Sequence, residues 1–268
     1  MAKLNLAPTS GIVEPIWTAL QAEAAREAAN ERVLSSLLHT KIIDQESFCN
    51  ALASHLAETL ATDDLTALHL RKMILDIYRA EPKLIDAAAL DLQAVYDRDP
   101  ACNTYLQCFL YFKGFTALQT HRIAHALYCA GRELIAYHLQ SRSSVLFAVD
   151  INPAAKIGHG IMFDHATGIV IGETAVIGDD CSILHNVTLG GTGNQDEDRH
   201  PKIGKRVLIG AGAKILGNIK IGDMARIAAG SVVLKPVPSQ CTVAGIPAKP
   251  VGGKCCDNPA DAMNQTFE

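Results

Sequence analysis

Two hydrophobic rhythms divide the chain, and one gives way to the other near Val149. Upstream the rhythm is helical. In "LHLRKMILDIYRA", Leu70, Met73, Ile74 and Ile77 fall at i, i+3, i+4 and i+7, which lines them along one face of a helix. The same spacing runs from Ile16 to Leu38 and from Leu106 to Leu139, with alanine-rich filler that favours helix. An all-helical unit is predicted over residues 1–145.

Downstream the apolar residues recur every six positions. Ile151, Ile157 and Phe163 form one run; Ile171, Ile177, Ile183 and Leu189 a second; Ile203, Ile209, Ile215, Ile221, Ile227 and Val233 a third. Small or modest residues follow four places later at Ala175, Cys181, Val187, Ala213, Ala225 and Ser231. Six fits neither the helical period nor the two-residue period of an ordinary strand. It matches hexapeptide repeats, in which each short strand buries one large residue and each corner needs a small one. The expected fold class is therefore α+β: the helical unit, a parallel β-helix over residues 146–250, and a flexible tail over 251–268.

The period slips twice. Phe163 to Ile171 is eight residues instead of six, and Leu189 to Ile203 is fourteen, two repeats plus two. The first slip carries Asp164 and His165. The second, "GGTGNQDEDRHPK", carries Arg199 and His200. Solenoid insertions gather on one face and tend to carry function, so these two segments are where chemistry is expected.

Composition narrows the classes. No apolar run reaches the ~18 residues that a membrane helix needs, and the N-terminal stretch lacks the apolar core of a signal peptide, so a cytoplasmic protein is expected. Eight cysteines without CxxC spacing indicate reduced thiols, not a disulfide framework or zinc cage. Residues 1–199 carry 15 Lys/Arg against 24 Asp/Glu, whereas 200–268 carry 9 against 4. The basic end suits an anionic ligand, but its lysines stand singly among apolar residues, so nucleic acid is not an expected partner. His121 and His125, four apart on a predicted helix, lack a third ligand at metal spacing and are assigned a structural role; no metal is expected.

"DINPAAKIGHGIMFDHATGIVIGETAVIG", "VTLGGTG", "DRHPKIG" and "GAGAKILGNIKIG", together with "DLQAVYDRDPA" and "YFKGFTALQTHRIAH" in the helical half, make the chain resemble the serine O-acetyltransferases from about residue 15 to 252. The resemblance implies a left-handed β-helix, trimers joined through the solenoids, and hexamers formed as dimers of trimers. It implies acetyl transfer from acetyl-CoA to L-serine, the first step of cysteine synthesis, with L-cysteine as feedback inhibitor.

The chemistry also follows from residue types. A serine hydroxyl needs a base with a pKa near 7, and His165 is the choice, with Asp150 on the other ring nitrogen to hold the tautomer. By resemblance Asp99 and Asp164 take the ammonium of serine, Arg199 its carboxylate, and His200 lies beside the reacting hydroxyl. Asp99 before Pro100 also reads as a helix N-cap. Gly191 is the oxyanion candidate, because glycine lets the backbone approach closely. Ala211 and Ala229 are expected along the pantetheine arm, and Thr242 and Lys249 near the nucleotide. Cys181 occupies an inward small-residue slot, so packing explains it better than a covalent acyl-enzyme does.

Two departures from the family pattern stand out. Asn152 replaces the usual histidine of "DIHPAA". The chain ends in Glu268, whereas members that bind O-acetylserine sulfhydrylase commonly end in isoleucine, which speaks against that partner. Homoserine or a sugar as acceptor is the nearest rival reading. A gamma-type carbonic anhydrase is more remote, because no histidine follows His200, and a scaffold would have no use for Asp150, His165 and Arg199 together.

Overall fold

The computed structural model describes residues 11–193, 196–254 and 258–265. Eight helices come first: Val13–Asn30 (α1), Arg32–Leu38 (α2), Phe48–Leu60 (α3), Ala67–Ala80 (α4), Lys83–Arg98 (α5), Tyr105–Tyr111 (α6), Lys113–Cys129 (α7) and Glu133–Phe147 (α8). The stripe predicted on α4 is largely realised, with Leu70 and Ile74 buried and Met73 and Ile77 packed at the edge of the core. Among the described residues, no helix is long and apolar enough to cross a membrane.

Short strands then wind into three parallel faces. The first stacks Val149–Ile151, Ile169–Ile171, Thr188–Gly190, Lys214–Leu216 and Val232–Val233. The second stacks Lys156–Ile157, Val176–Ile177, Lys202–Ile203 and Lys220–Ile221. The third runs through Met162–Phe163, Ser182–Ile183, Leu208–Ile209 and Arg226–Ile227, and ends in the antiparallel hairpin Cys241–Gly245 and Ala248–Lys254. Register keeps like on like, with Ile151 on Ile171, Ile171 on Leu189 and Leu189 on Ile215. Every hexad residue is buried except Ile157, which is partly covered, and all six small-slot residues are buried.

The helices and the solenoid share one core. Asp91 of α5, with 0% exposure, accepts from Arg122 Nε at 2.9 Å, Arg122 Nη2 at 3.0 Å and Gln119 Nε2 at 2.9 Å, all on α7. The same carboxylate accepts the Ile161 N–H of the first coil at 2.9 Å, and Arg122 Nη2 donates to the Gly158 carbonyl at 2.6 Å. Gly114 lets α7 lie directly on the coil, since a Cβ there would stand 2.1 Å from the Phe163 carbonyl oxygen. Helix α8 ends at Phe147, two residues past the boundary read from the pattern, and turns into the first strand through Ala148 at φ 54°.

The tail departs from expectation over its described part. Pro259–Ala262 forms a short helix (α9) with Ala260 fully buried. Asp261 Oδ1 meets Arg98 Nε at 2.7 Å, and the Ala260 carbonyl accepts from Ser182 Oγ at 2.9 Å. The cause is Arg98, a largely buried guanidinium that requires an anion. Cys255, Cys256 and Glu268 lie outside the described residues.

Two histidines are buried in the helical half. Burial and the Lys41 charge push His55 down to about 4, and burial with the His125 and Arg122 charges pushes His121 down to about 3. Below the ordinary value of 6.5 the unfolded chain takes up protons that these rings refuse, so stability is lost as pH falls from 6.5 toward 4 and then 3. Each ring contributes a decline of at most about 1.4 kcal/mol per pH unit. Urea unfolding at stepped pH should show a shallower decline in His55→Asn and His121→Asn proteins. Equal slopes in parent and variants would remove these rings as the cause.

Candidate functional site

The first slip in the period builds the corner where the third face turns into the first. Single left-handed residues recur at other corners, at Asp180, Asn186, Arg206 and Met224, but His165 (φ 54°) and Ala166 (φ 59°) are consecutive. Two tight turns hold them: Ala166 N–H donates to Asp164 O at 2.6 Å and Thr167 N–H to His165 O at 2.7 Å. Such backbone needs surroundings that over-determine it, a condition common at functional sites. The imidazole is left 77% exposed, with Nε2 3.8 Å from Asp164 Oδ1.

Asp164 is half-buried. Burial holds its carboxyl above the usual carboxylate range; His165 and His185 pull it down, and Asp99 pushes it up. Asp99 thus belongs to this corner electrostatically. No helix starts at Pro100: Asp99 terminates α5, its Oδ1 accepts the Ala101 N–H at 2.8 Å, and the next N-cap is Thr104. The expected cap is an Asx turn instead.

His185 was missed by the sequence reading. Its ring meets that of His165 edge to face, with centroids 5.8 Å apart, and its buried Nδ1 has no hydrogen-bond partner. Its signal was available: it lies 20 residues after His165, one 18-residue coil plus the two-residue slip. The same corner continues upward through Ala211 and Ala229, joined by Gly212 N–H to His185 O at 2.9 Å and Gly230 N–H to Ala211 O at 2.7 Å. At ~4.8 Å per coil, Ala229 stands roughly 14 Å along this edge from His165.

The second slip builds the corner between the first and second faces, and Thr174 organises it. Thr174 Oγ1 accepts the N–H groups of Arg199 at 3.0 Å and His200 at 3.1 Å. Thr174 N–H donates to His200 Nδ1 at 3.2 Å, so Nδ1 is bare and Nε2 carries the proton. Gly172 makes room for this ring, because a Cβ there would stand 2.0 Å from His200 Nε2. Burial first, then Arg199 and Lys202, lower the His200 pKa and keep the ring neutral. Arg199 Nη2 pairs with Glu173 Oε2 at 2.5 Å, and its side chain passes exposed Gly191.

The expected residues therefore fall into separate groups. Asp99, Asp164 and His165 come together at one corner; Arg199, His200 and Gly191 come together at the next. The first face lies between them, with strands such as Ile169–Ile171 and Thr188–Gly190 separating the two corners within one chain. Asp150, on the first face, accepts through Oδ1 from Gln140 Nε2 at 2.6 Å. Thr242 is 1% exposed with its hydroxyl accepting from Arg226 Nε at 3.2 Å, whereas Lys249 is exposed on the final hairpin. Cys181 is fully buried and donates to the Gly204 carbonyl at 3.1 Å, with burial pushing its thiol up to about 12. Among the described residues, no group of three or more His, Cys, Asp and Glu is placed to hold a metal.

Residues 16–120 match the family described as "Serine acetyltransferase, N-terminal", and residues 200–235 match "Bacterial transferase hexapeptide (six repeats)". The serine acetyltransferase of Salmonella typhimurium is 52% identical over 255 residues, covering 95% of this chain and 93% of its own. That of Haemophilus influenzae is 51% identical and covers 94% of both. This chain belongs to the serine acetyltransferase family.

Solved serine acetyltransferases superpose over nearly the whole length. A cysteine complex has a TM-score of 0.93 at 50% identity, covering 95% of this chain and 99% of that one. The Brucella abortus enzyme with coenzyme A gives 0.89 at 52% identity, covering 91% and 98%. The Neisseria gonorrhoeae enzyme with serine gives 0.86 at 49%, covering 88% and 97%.

Proposed function

We propose that this serine acetyltransferase moves the acetyl group of acetyl-CoA to the hydroxyl of L-serine, with the His165 corner of one chain facing the Arg199 corner of a neighbour. What supports the pairing is that the first face stands between the two corners within one chain. A threefold array of solenoids sets one corner against the next across a groove, so a trimer completes each site; pairing of trimers through the helical halves is part of the same proposal. The domain division at about residue 147 separates the assembling helices from the catalytic solenoid. Six described cysteines are unpaired, which supports a reducing, cytoplasmic setting.

In this reading the serine ammonium sits against Asp99 and Asp164, and its carboxylate against Arg199. His165 takes the hydroxyl proton as the oxygen attacks the thioester carbon. Gly191 N–H meets the developing oxyanion. The tetrahedral intermediate collapses, the C–S bond breaks, and His165 returns the proton to the departing thiolate. His200 Nε2–H points a donor at the same substituent. Pairing of Asp150 with the imidazole on the groove side belongs to the proposal, as does the backbone track of Ala211 and Ala229 for the pantetheine arm, with Lys249 near the nucleotide and Thr242 behind it. The fully buried Cys181 supports direct transfer in a ternary complex.

The test is release of free CoA thiol from acetyl-CoA with and without L-serine. Absence of serine-dependent release at millimolar serine would sink this reading, and release with homoserine or a sugar instead would move it to the rival acceptor. Cysteine differs from serine only at sulfur, so a site gripping ammonium and carboxylate accepts both. A cysteine thiolate against the imidazolium that His165 becomes makes a charge-assisted contact that the serine hydroxyl cannot make, and it accepts from neutral His200 Nε2–H more strongly than a hydroxyl does. Arg199→Ala should weaken serine and cysteine together, whereas His200→Asn should weaken cysteine more. Measured inhibition that is non-competitive with serine, or undiminished in Arg199→Ala, would rule out a shared site.

A further inference from the structure

A second cleft lies away from both corners, between the start of α5, the end of α7 and the first coil, with a volume of about 440 Å³. Glu81, Lys83, His121, His125, Cys129 and His159 bring its chemistry. His125 Nδ1 stands 2.7 Å from the Pro153 carbonyl oxygen, which only accepts, so Nδ1 carries the ring proton. Nε2 is then a lone pair, and Cys129 Sγ lies 3.6 Å from it. Cys129 is exposed, unlike the buried Cys49, Cys102, Cys108 and Cys181. A thiol facing a base whose second nitrogen is locked by an acceptor is the arrangement of an activated nucleophile.

His121 points to a ligand independently. It is 5% exposed, lies 5.9 Å from His125 between ring centroids, and its Nδ1 has no partner. The ring lines the cleft, and its Nδ1 is buried without a hydrogen-bond partner. A ligand with an amide or ammonium donor satisfies it. Lys83 Nζ lies 3.4 Å from Glu81 Oε2 in an exposed ion pair, which a ligand carboxylate can open by taking the lysine. Arg122 is committed to Asp91, and His159 lies 3.6 Å from Asp179.

We infer that Cys129 is a modification site for a small peptide disulfide carrying amide and carboxylate groups. His125 Nε2 takes the thiol proton; the thiolate attacks one sulfur of the disulfide; the S–S bond breaks and the second thiolate leaves, taking up a proton. The product is a mixed disulfide on Cys129, and the incoming disulfide is the oxidant. The imidazolium formed on His125 lies just before the last turn of α7, toward the end where the helix dipole favours a cation. None of these residues belongs to the proposed acetyl-transfer site.

The experiment treats the intact protein with oxidised glutathione or iodoacetamide and follows each cysteine by peptide mass spectrometry from pH 6 to 9.5. At pH 7, Cys129 should react at least about 10-fold faster in the parent than in His125→Gln, a threshold below the ~10²-fold that a positioned base usually contributes. The two rates should converge near pH 9.5, where a thiol ionises unaided, a convergence that lost access or misfolding would not produce. Lys83→Ala and His121→Leu should slow oxidised glutathione but not iodoacetamide. Equal rates in parent and His125→Gln at pH 7 would overturn the Cys–His pair. Equal slowing of both reagents in the Lys83 and His121 proteins would overturn recognition of the disulfide.

Discussion

A His165→Ala protein is expected to fold and assemble as the parent does yet turn over about 10²–10⁴-fold more slowly, the usual weight of a positioned general base. Folding should survive because the ring is 77% exposed and contributes little packing. The backbone there is already left-handed in a non-glycine residue, and the corner is fixed by main-chain bonds from Ala166 and Thr167 that alanine retains. The loss should fall on kcat, with the KM for serine little changed, since Asp164 and Arg199 still grip the substrate. His185, with its ring centroid 5.8 Å away, can substitute in part. A His165→Ala/His185→Ala protein should therefore lose the residual rate as well. Thiol release in single-turnover and steady-state modes measures both numbers. Turnover equal to the parent would remove His165 from the mechanism, and with it the meaning given to the first slip.

The second large effect concerns stability. Asp91→Ala should cost about 3–5 kcal/mol, because it strands a buried guanidinium instead of removing a pair. Arg122 is only 7% exposed on its side chain, and Gln119 Nε2 and the Ile161 N–H lose their acceptor with it. For a chain of this size the midpoint of thermal unfolding should fall by roughly 10 °C. Asp91→Asn keeps an acceptor of the same shape and should fall between. Replacing both partners, as Asp91→Leu with Arg122→Met, should recover much of the loss, since a well-packed apolar pair avoids the desolvation cost of two ions. Denaturant titrations of the four proteins give the comparison. A loss under about 1 kcal/mol for Asp91→Ala would mean that the pair is not the clamp between helices and solenoid.

The sequence by itself determined the two architectures and their order along the chain. Periodicity is local: hexad residues such as Ile171 and Ile183 reach the core because each coil repeats the same geometry, and the α4 stripe follows from helical pitch alone. It also marked where chemistry is to be sought, because an interruption of a strict period is visible without coordinates. Asp164, His165, Arg199 and His200 were legible for that reason.

What the tertiary structure decided depends on contacts between segments far apart in the chain. Only stacking of coils sets His185 on His165, and only the corner geometry parts Asp164 and His165 from Arg199 and His200 by a whole face. Thr174 reads as an ordinary corner threonine until the second insertion folds over it and takes three bonds from its hydroxyl and amide. The tail reads as polar and loose, yet Asp261 docks because Arg98, 163 positions earlier, needs an anion where it is buried. The surroundings of His125 were equally hidden: helical spacing gave it a structural role, whereas the Pro153 carbonyl, 28 residues away, holds its Nδ1 and leaves Nε2 3.6 Å from Cys129 Sγ. Side-chain protonation and pairing are set by the nearest acceptor in space, and a one-dimensional pattern does not carry that distance.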